Sequence, residues 1–188
     1  MSDLSAVITA IEQVRADLGT VAVGVSGYAG AGKSVLTRAL VEAVDDAVRV
    51  RGDEFLDPRR IVRRSADWDG VERQRLRDEV LEPFHDGREA AVRPLDWATG
   101  LLGEPTPLPR ASVLVVDLIG LFHPDLLPWL DLTVWVDVEP EIALERGMAR
   151  DRAAGLDHDR LWTDVWLPND REFEQAFTPR DQADIVHS

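Results

Sequence analysis

The chain reads as an α/β protein of three layers, with a mostly parallel central sheet flanked by helices and a short lid segment at about 146–160. Three observations predict this. Short apolar runs such as "TVAVGVS" at 20–26 and "SVLVVDLIGLF" at 112–122 lack polar alternation, as parallel strands covered on both sides do. Segments with three-to-four apolar spacing alternate with them, which is the order of βαβ units. No linker, repeat or low-complexity tract divides the chain, and 188 residues suit a single domain, 1–188, with a full core.

The elements follow in chain order. "DLSAVITAIEQVRADL" at 3–18 sets Leu4, Val7, Ile8, Ile11, Val14 and Leu18 at helical spacing, and Gly19 ends it. The run at 20–26 is a buried strand that leads through glycines into a helix over 33–44. "AVRVRGDEF" at 47–55 is a second strand ending in acidic residues, and 57–69 is Arg-rich and irregular. Residues 70–87 form a helix stopped near Pro83–Gly87, and 99–110, with three prolines and two glycines, is loop. The strongest strand signal lies at 112–122, and "DLTVWVDV" at 131–138 is another. Pro140 opens a helix over 140–151. Residues 160–177 are helical in part, broken by Pro168, and "ADIVHS" supplies a last strand.

The formal net charge of −14 argues against a nucleic-acid partner, because such surfaces carry a basic footprint. An acidic chain that binds an anion needs a local positive site. With no cysteine there is neither disulfide nor thiolate metal site. No apolar run reaches membrane-helix length, and the N-terminus has no signal pattern, so no membrane partner and a cytoplasmic location are expected. The oligomeric state stays open, a homo-oligomer included.

"GYAGAGKS" at 27–34 fits G-x-x-x-x-G-K-[ST], placed between a buried strand and a helix. Gly27, Gly30 and Gly32 let the backbone bring amide N–H groups to phosphate oxygens, and the helix directs its positive end at the same anion. Lys33 is the only lysine among 21 basic residues, and a thin ammonium does not substitute for a guanidinium fork at such a site. The expected nucleotide-binding set is Gly27, Ala29, Gly30, Ala31, Gly32, Lys33, Ser34 and Val35, with Lys33 on the β- and γ-phosphates and Ser34 on a Mg²⁺ ion.

Hydrolases, switches and kinases all use this loop, so other residues must set the reaction. Asp53 follows "VRVRG" and Asp117 follows "SVLVV", both at carboxyl ends of strands, where open parallel sheets bind ligands. Asp117 suits a Mg²⁺ site, and Asp53 suits proton acceptance from an attacking hydroxyl. A capping carboxylate is the alternative for each. Arg146 and Arg150, four apart in "RGMARDR", could close over a triphosphate or pair with nearby acids on a solvated helix.

In this order the pieces resemble the uridine kinase-like branch of the P-loop small-molecule kinases, a group that also looks related to phosphoribulokinase and bacterial pantothenate kinase. The likeness spans nearly the whole chain: "VAVGVSGYAGAGKS", "GDEFL" at 52–56, "DWDGVERQRLRDEVLEPFHDG" at 67–87, "RPLDW" at 93–97, "RGMARD" at 146–151 and "ADIV" at 183–186. It implies ATP and Mg²⁺ as cofactors, Asp53 as catalytic base and metal neighbour, and Arg146 and Arg150 as lid arginines. It also implies Phe55, Arg93 and Asp96 beside the acceptor. The chain departs from the pattern at Asp117-Leu118, where uridine kinases carry Glu-Gly. Leu95-Asp96 and Gly100 stand where they carry Tyr-Asp and a His, so the acceptor half differs. Arg59, Arg60, Arg63 and Arg64 could grip an anionic or sugar-like acceptor, or simply face water. The expectation is an ATP-dependent phosphotransferase acting on a small hydroxyl-bearing metabolite. The alternative is a P-loop ATPase or nucleotide-dependent switch. A guanine-reading Asn-Lys-x-Asp is impossible, since the single lysine is already used.

Overall fold

The computed structural model describes residues 3–188. Five strands, β1 Val21–Ser26, β2 Ala47–Arg51, β3 Val113–Asp117, β4 Leu132–Val136 and β5 Ile185–His187, form one sheet in the order β2-β3-β1-β4-β5. Every neighbouring pair is parallel. Strands β1, β3 and β4 are buried along their whole length, which is why their sequences do not alternate. The register aligns Val25 of β1 and Arg51 of β2 with Asp117 of β3. The loops after all three strands therefore open at one edge of the sheet, where such folds bind ligands.

The helices are α1 Leu4–Leu18, α2 Lys33–Ala43, α3 over residues 73–85, α4 Pro140–Ala153 and α5 over residues 159–177. Asp3 caps α1 by accepting from the Ala6 N–H at 3.1 Å, which satisfies one of the free donors of a helix start. Val7 and Ile11 of α1, Leu36 and Leu40 of α2, and Leu76, Val80 and Leu81 of α3 fill the core against the sheet. Among the described residues no helix is long and apolar enough to cross a membrane.

Helix α3 ends at His85, within the expected stop at Pro83–Gly87. Three expectations are corrected, the first being that Pro168 does not break α5. Each proline follows a wide π turn, Arg77–Leu81 in α3 and Trp162–Trp166 in α5. A proline ring ordinarily strikes the carbonyl four residues back. Here those carbonyls belong to Glu79 and Asp164, inside the widened turns, so both helices continue. Strand β2 ends at Arg51, and Gly52–Phe55 form a tight 3-10 turn. Within 91–107 two small antiparallel ladders pair Leu95–Asp96 with Leu101–Leu102 and Ala91–Val92 with Thr106–Pro107.

Candidate active site

The glycine loop takes up the left-handed backbone that its composition permits. Gly30 has φ +83° and Gly32 φ +105°, conformations that a side chain disfavours. A Cβ at Gly30 would also lie 2.1 Å from the Ala143 carbonyl oxygen, so the loop rests directly on the backbone of α4. No side chain caps α2, whose first residue is Lys33, and its N-terminal dipole faces the loop. Inside the loop, the Lys33 ammonium donates to the Gly27 and Tyr28 carbonyls at 2.8 Å each. Burial pulls the Lys33 pKa down, against the attraction of Asp170, Asp117 and Asp53.

Two strand-end carboxylates occupy different environments. Asp117 is buried and fully engaged. Arg49 of β2 grips it with two parallel bonds, Nε to Oδ1 at 2.8 Å and Nη2 to Oδ2 at 2.9 Å. Ser34 Oγ donates to its Oδ2 at 2.5 Å and Thr37 Oγ1 to its Oδ1 at 3.3 Å. Asp53 is exposed at the start of the cavity and accepts no side-chain or backbone hydrogen bond among the described residues. Such a carboxylate keeps its acceptor capacity for a metal shell or a hydroxyl.

A cavity of about 1110 Å³ joins these groups. That exceeds the roughly 300–1,000 Å³ of a pocket for one small ligand. Ala29, Gly30, Ala31, Gly32, Lys33, Ser34 and Val35 line it, with Asp53, Asp117, Arg146 and Arg150. Gly27 does not, but its carbonyl holds Lys33. Arg146 and Arg150 lie on α4, and the Arg150 guanidinium sits 5.8 Å over the Trp162 ring. Asp151, next in sequence, is turned inward and accepts from Trp162 Nε1 at 2.9 Å, with His158 Nδ1 at 3.0 Å. Burial pushes the Asp151 carboxyl up, but bonds from Trp162, Arg150 and His158 outweigh it and hold it below its ordinary range.

The structure does not bring the expected acceptor residues to this cavity. Phe55 is fully buried under the Arg75 guanidinium, 4.3 Å from its ring centre. Arg93 Nε donates to Glu79 at 2.6 Å. Asp96 accepts from Ala98 N at 2.9 Å and Thr99 Oγ1 at 2.8 Å, so it shapes the hairpin turn. Of the arginine cluster, Arg60 pairs with Asp57 and Arg64 with Glu172, and none of the four lines the cavity. The wall beyond Asp53 is instead Leu56, Pro58, Ile61, Val62, Trp97 and Ile119. Trp97, on the small hairpin, is 49% exposed at its mouth.

Three participants were missed by motif reading. Arg49 looks like one more strand residue. Trp162 lies outside any signature. Asp170 accepts from the Ala29 N–H at 2.8 Å, inside the glycine loop. Their one signal was available only for Asp170, since Trp166, Asn169, Asp170 and Phe173 share a helical stripe that should be apolar.

No family model matches the sequence, and no curated protein matches it. Solved structures do. A protein from Silicibacter sp. TM1040, provisionally assigned as a fructose transport system kinase, is similar with TM-score 0.80 at 20% identity, over 100% of both chains. A protein from Bacillus stearothermophilus, provisionally assigned as a uridine kinase, is similar with TM-score 0.69 at 12% identity, over 97% of this chain and 99% of that one. With its all-parallel β2-β3-β1-β4-β5 sheet and its glycine loop between β1 and α2, the chain has the three-layer α/β fold that these two structures share.

Proposed function

We propose that this chain is an ATP-dependent kinase that moves the γ-phosphate of ATP to a hydroxyl of a small, uncharged metabolite. The observation that carries the reading is Asp53, an unengaged carboxylate that shares a cavity with Lys33 while its neighbour Asp117 is fully bonded. One carboxylate with every acceptor site occupied beside another left free marks a division of roles. ATP with Mg²⁺ would supply the transferable phosphoryl group and the cation that neutralises its charge. The residues present fit both: left-handed glycines, a buried ammonium, and a serine hydroxyl backed by a carboxylate.

Loop N–H groups and Lys33 would hold the phosphates, and Ser34 would hold Mg²⁺ with Asp117 fixing its hydroxyl. Asp117 then acts through Ser34 or through water, because its own oxygens are occupied. Asp53 orients the acceptor hydroxyl and takes its proton. Arg146 and Arg150 close over the transferring charge. The apolar wall beyond Asp53 excludes water and offers a carboxylated or phosphorylated acceptor no cation to pair with.

A panel of neutral nucleosides, polyols, sugars and aromatic alcohols, beside pantothenate and sugar phosphates, tests this through ADP release and labelled phosphate transfer. Phosphate should move to a neutral acceptor and ADP release should require it. ATP loss at one rate with or without any acceptor would favour an ATPase and end this reading. Lys33→Ala should weaken nucleotide binding, whereas Asp53→Asn should bind normally and lose kcat.

A further inference from the structure

Helix α5 presents three side chains, Trp166, Asn169 and Asp170, on one face toward the irregular segment 57–70. Turn bonds such as Asp57 N to the Gly70 carbonyl at 2.8 Å shape that segment from within, and α5 holds it from outside, in part through Arg64, which donates to Asn169 Oδ1 at 3.1 Å and pairs with Glu172. Trp166 Nε1 donates to the Ile61 carbonyl at 2.9 Å. Asn169 Nδ2 donates to the Arg63 carbonyl, and its Oδ1 accepts from Ser65 N, at 2.9 Å each. Asp170 Oδ1 accepts from Trp68 Nε1 at 3.1 Å. The other oxygen of the same carboxylate accepts from Ala29 N in the glycine loop.

Asp170 is 6% exposed, and Trp68 is 1% exposed with the left-handed φ of +56° that a bulky residue rarely adopts. A buried carboxylate is retained where several donors meet it. Here two N–H donors arrive from two separate segments, and the Lys33 ammonium attracts it from a third direction. An amide could not replace it. It has one acceptor oxygen, and its NH₂ would face a second donor.

We propose that Asp170 is a positioning residue that locks the acceptor segment 57–70 to the phosphate loop, an inference that rests on the nucleotide-binding reading of that loop. Pro58, Ile61, Val62 and Trp68 of the segment form part of the cavity wall. A shift of this wall is thus transmitted through Trp68 and Asp170 to Ala29, and a shift of the loop travels back.

The test is Mg·ATP affinity by calorimetry, with a double-mutant cycle of Asp170→Asn and Trp68→Phe and with Asn169→Ala as a third variant. Hydrogen bonds to a charged group contribute about 1.5–3 kcal/mol, so at about pH 8, where the Asp170 carboxyl is ionised, Asp170→Asn should weaken binding by roughly tenfold or more. Trp68→Phe should weaken it by about threefold to tenfold, and the double variant should be no weaker than Asp170→Asn alone. Asn169→Ala loosens the segment without touching the loop and should stay within about twofold of wild type. Multiplicative losses in the cycle, wild-type affinity in Asp170→Asn, or an equal loss in Asn169→Ala would each overturn the proposal. Should Asp170→Asn not fold, an unchanged affinity in Trp68→Phe overturns it and a weakened one supports it. Absence of any Mg·ATP binding by the wild-type protein would remove the nucleotide reading itself, and this inference with it.

Discussion

Replacing Arg49 by methionine removes the cation that neutralises Asp117 while keeping most of the aliphatic stem. The pair is bidentate, with bonds of 2.8 and 2.9 Å, and its side chains are 17% and 5% exposed. Breaking one side of a buried pair leaves an uncompensated charge and costs about 3–5 kcal/mol. Asp117 keeps the Ser34 and Thr37 hydroxyls as donors, so the loss should fall at the lower end, about 3 kcal/mol. For a chain of this size that is a fall in Tm of about 6–12 °C. Urea unfolding followed by circular dichroism measures the first number and thermal scans the second. Adding Asp117→Asn to the variant removes the orphaned charge and should restore part of the loss. The same orphaned charge opposes a triphosphate, so Mg·ATP should stabilise Arg49→Met less than it stabilises wild type. A loss below about 1 kcal/mol, the level of a surface pair, would refute the claim that Asp117 depends on Arg49.

Gly30→Ala should abolish nucleotide binding and cost at least about 1–2 kcal/mol in urea unfolding, because the left-handed backbone and the Ala143 carbonyl at 2.1 Å both oppose a Cβ. Trp97→Ala should raise the acceptor KM several-fold in a coupled assay with ATP affinity unchanged, and shift stability by no more than about 0.5 kcal/mol, since the indole is half exposed at the cavity mouth. Burial raises the Asp170 carboxyl from 3.8 to about 7, against Lys33, Ala29 N–H and Trp68 and with Glu174. A raised folded pKa contributes stability that is full below the unfolded value and lost as pH rises through the folded one. Wild type should therefore lose stability relative to Asp170→Asn between pH 4 and pH 7, read from urea midpoints across that window.

The parts of this fold that were legible are those whose physics is local. Strands β1, β3 and β4 are apolar on both faces wherever they are read, and Gly30, Gly32, Lys33 and Ser34 carry their geometry in composition alone. Asp53 and Asp117 were placed by the rule for strand ends, and both line the cavity. What could not be read was set by partners distant in sequence. Arg93 and Asp96 look available until Glu79 and the Thr99 turn are seen to occupy them. Arg49 gives no sign of its role until β2 is laid against β3 and its guanidinium reaches Asp117. Pro168 misled for a related reason. Its effect depends on the turn before it, and a π turn has no sharp local signature.

The acidic character of the chain bears on how it could hold a polyanion. A net charge of −14 repels ATP at long range, so attraction has to be built locally. The glycine-loop end of the cavity gathers Lys33, Arg38, Arg146 and Arg150 beside the uncapped start of α2. Arg49 lies just behind this edge and cancels the charge of Asp117, which would otherwise oppose a triphosphate a few ångströms from Ser34. Asp53 is left uncancelled, and under the proposed function its negative charge would serve proton removal. On this view Arg49 and Asp53 are complementary. One strand, β2, supplies the cation that neutralises Asp117 beside the glycine loop, and the turn after it supplies the carboxylate that stays free. Exchanging either charge should therefore shift the balance between holding ATP and using it, with Arg49 governing the first and Asp53 the second.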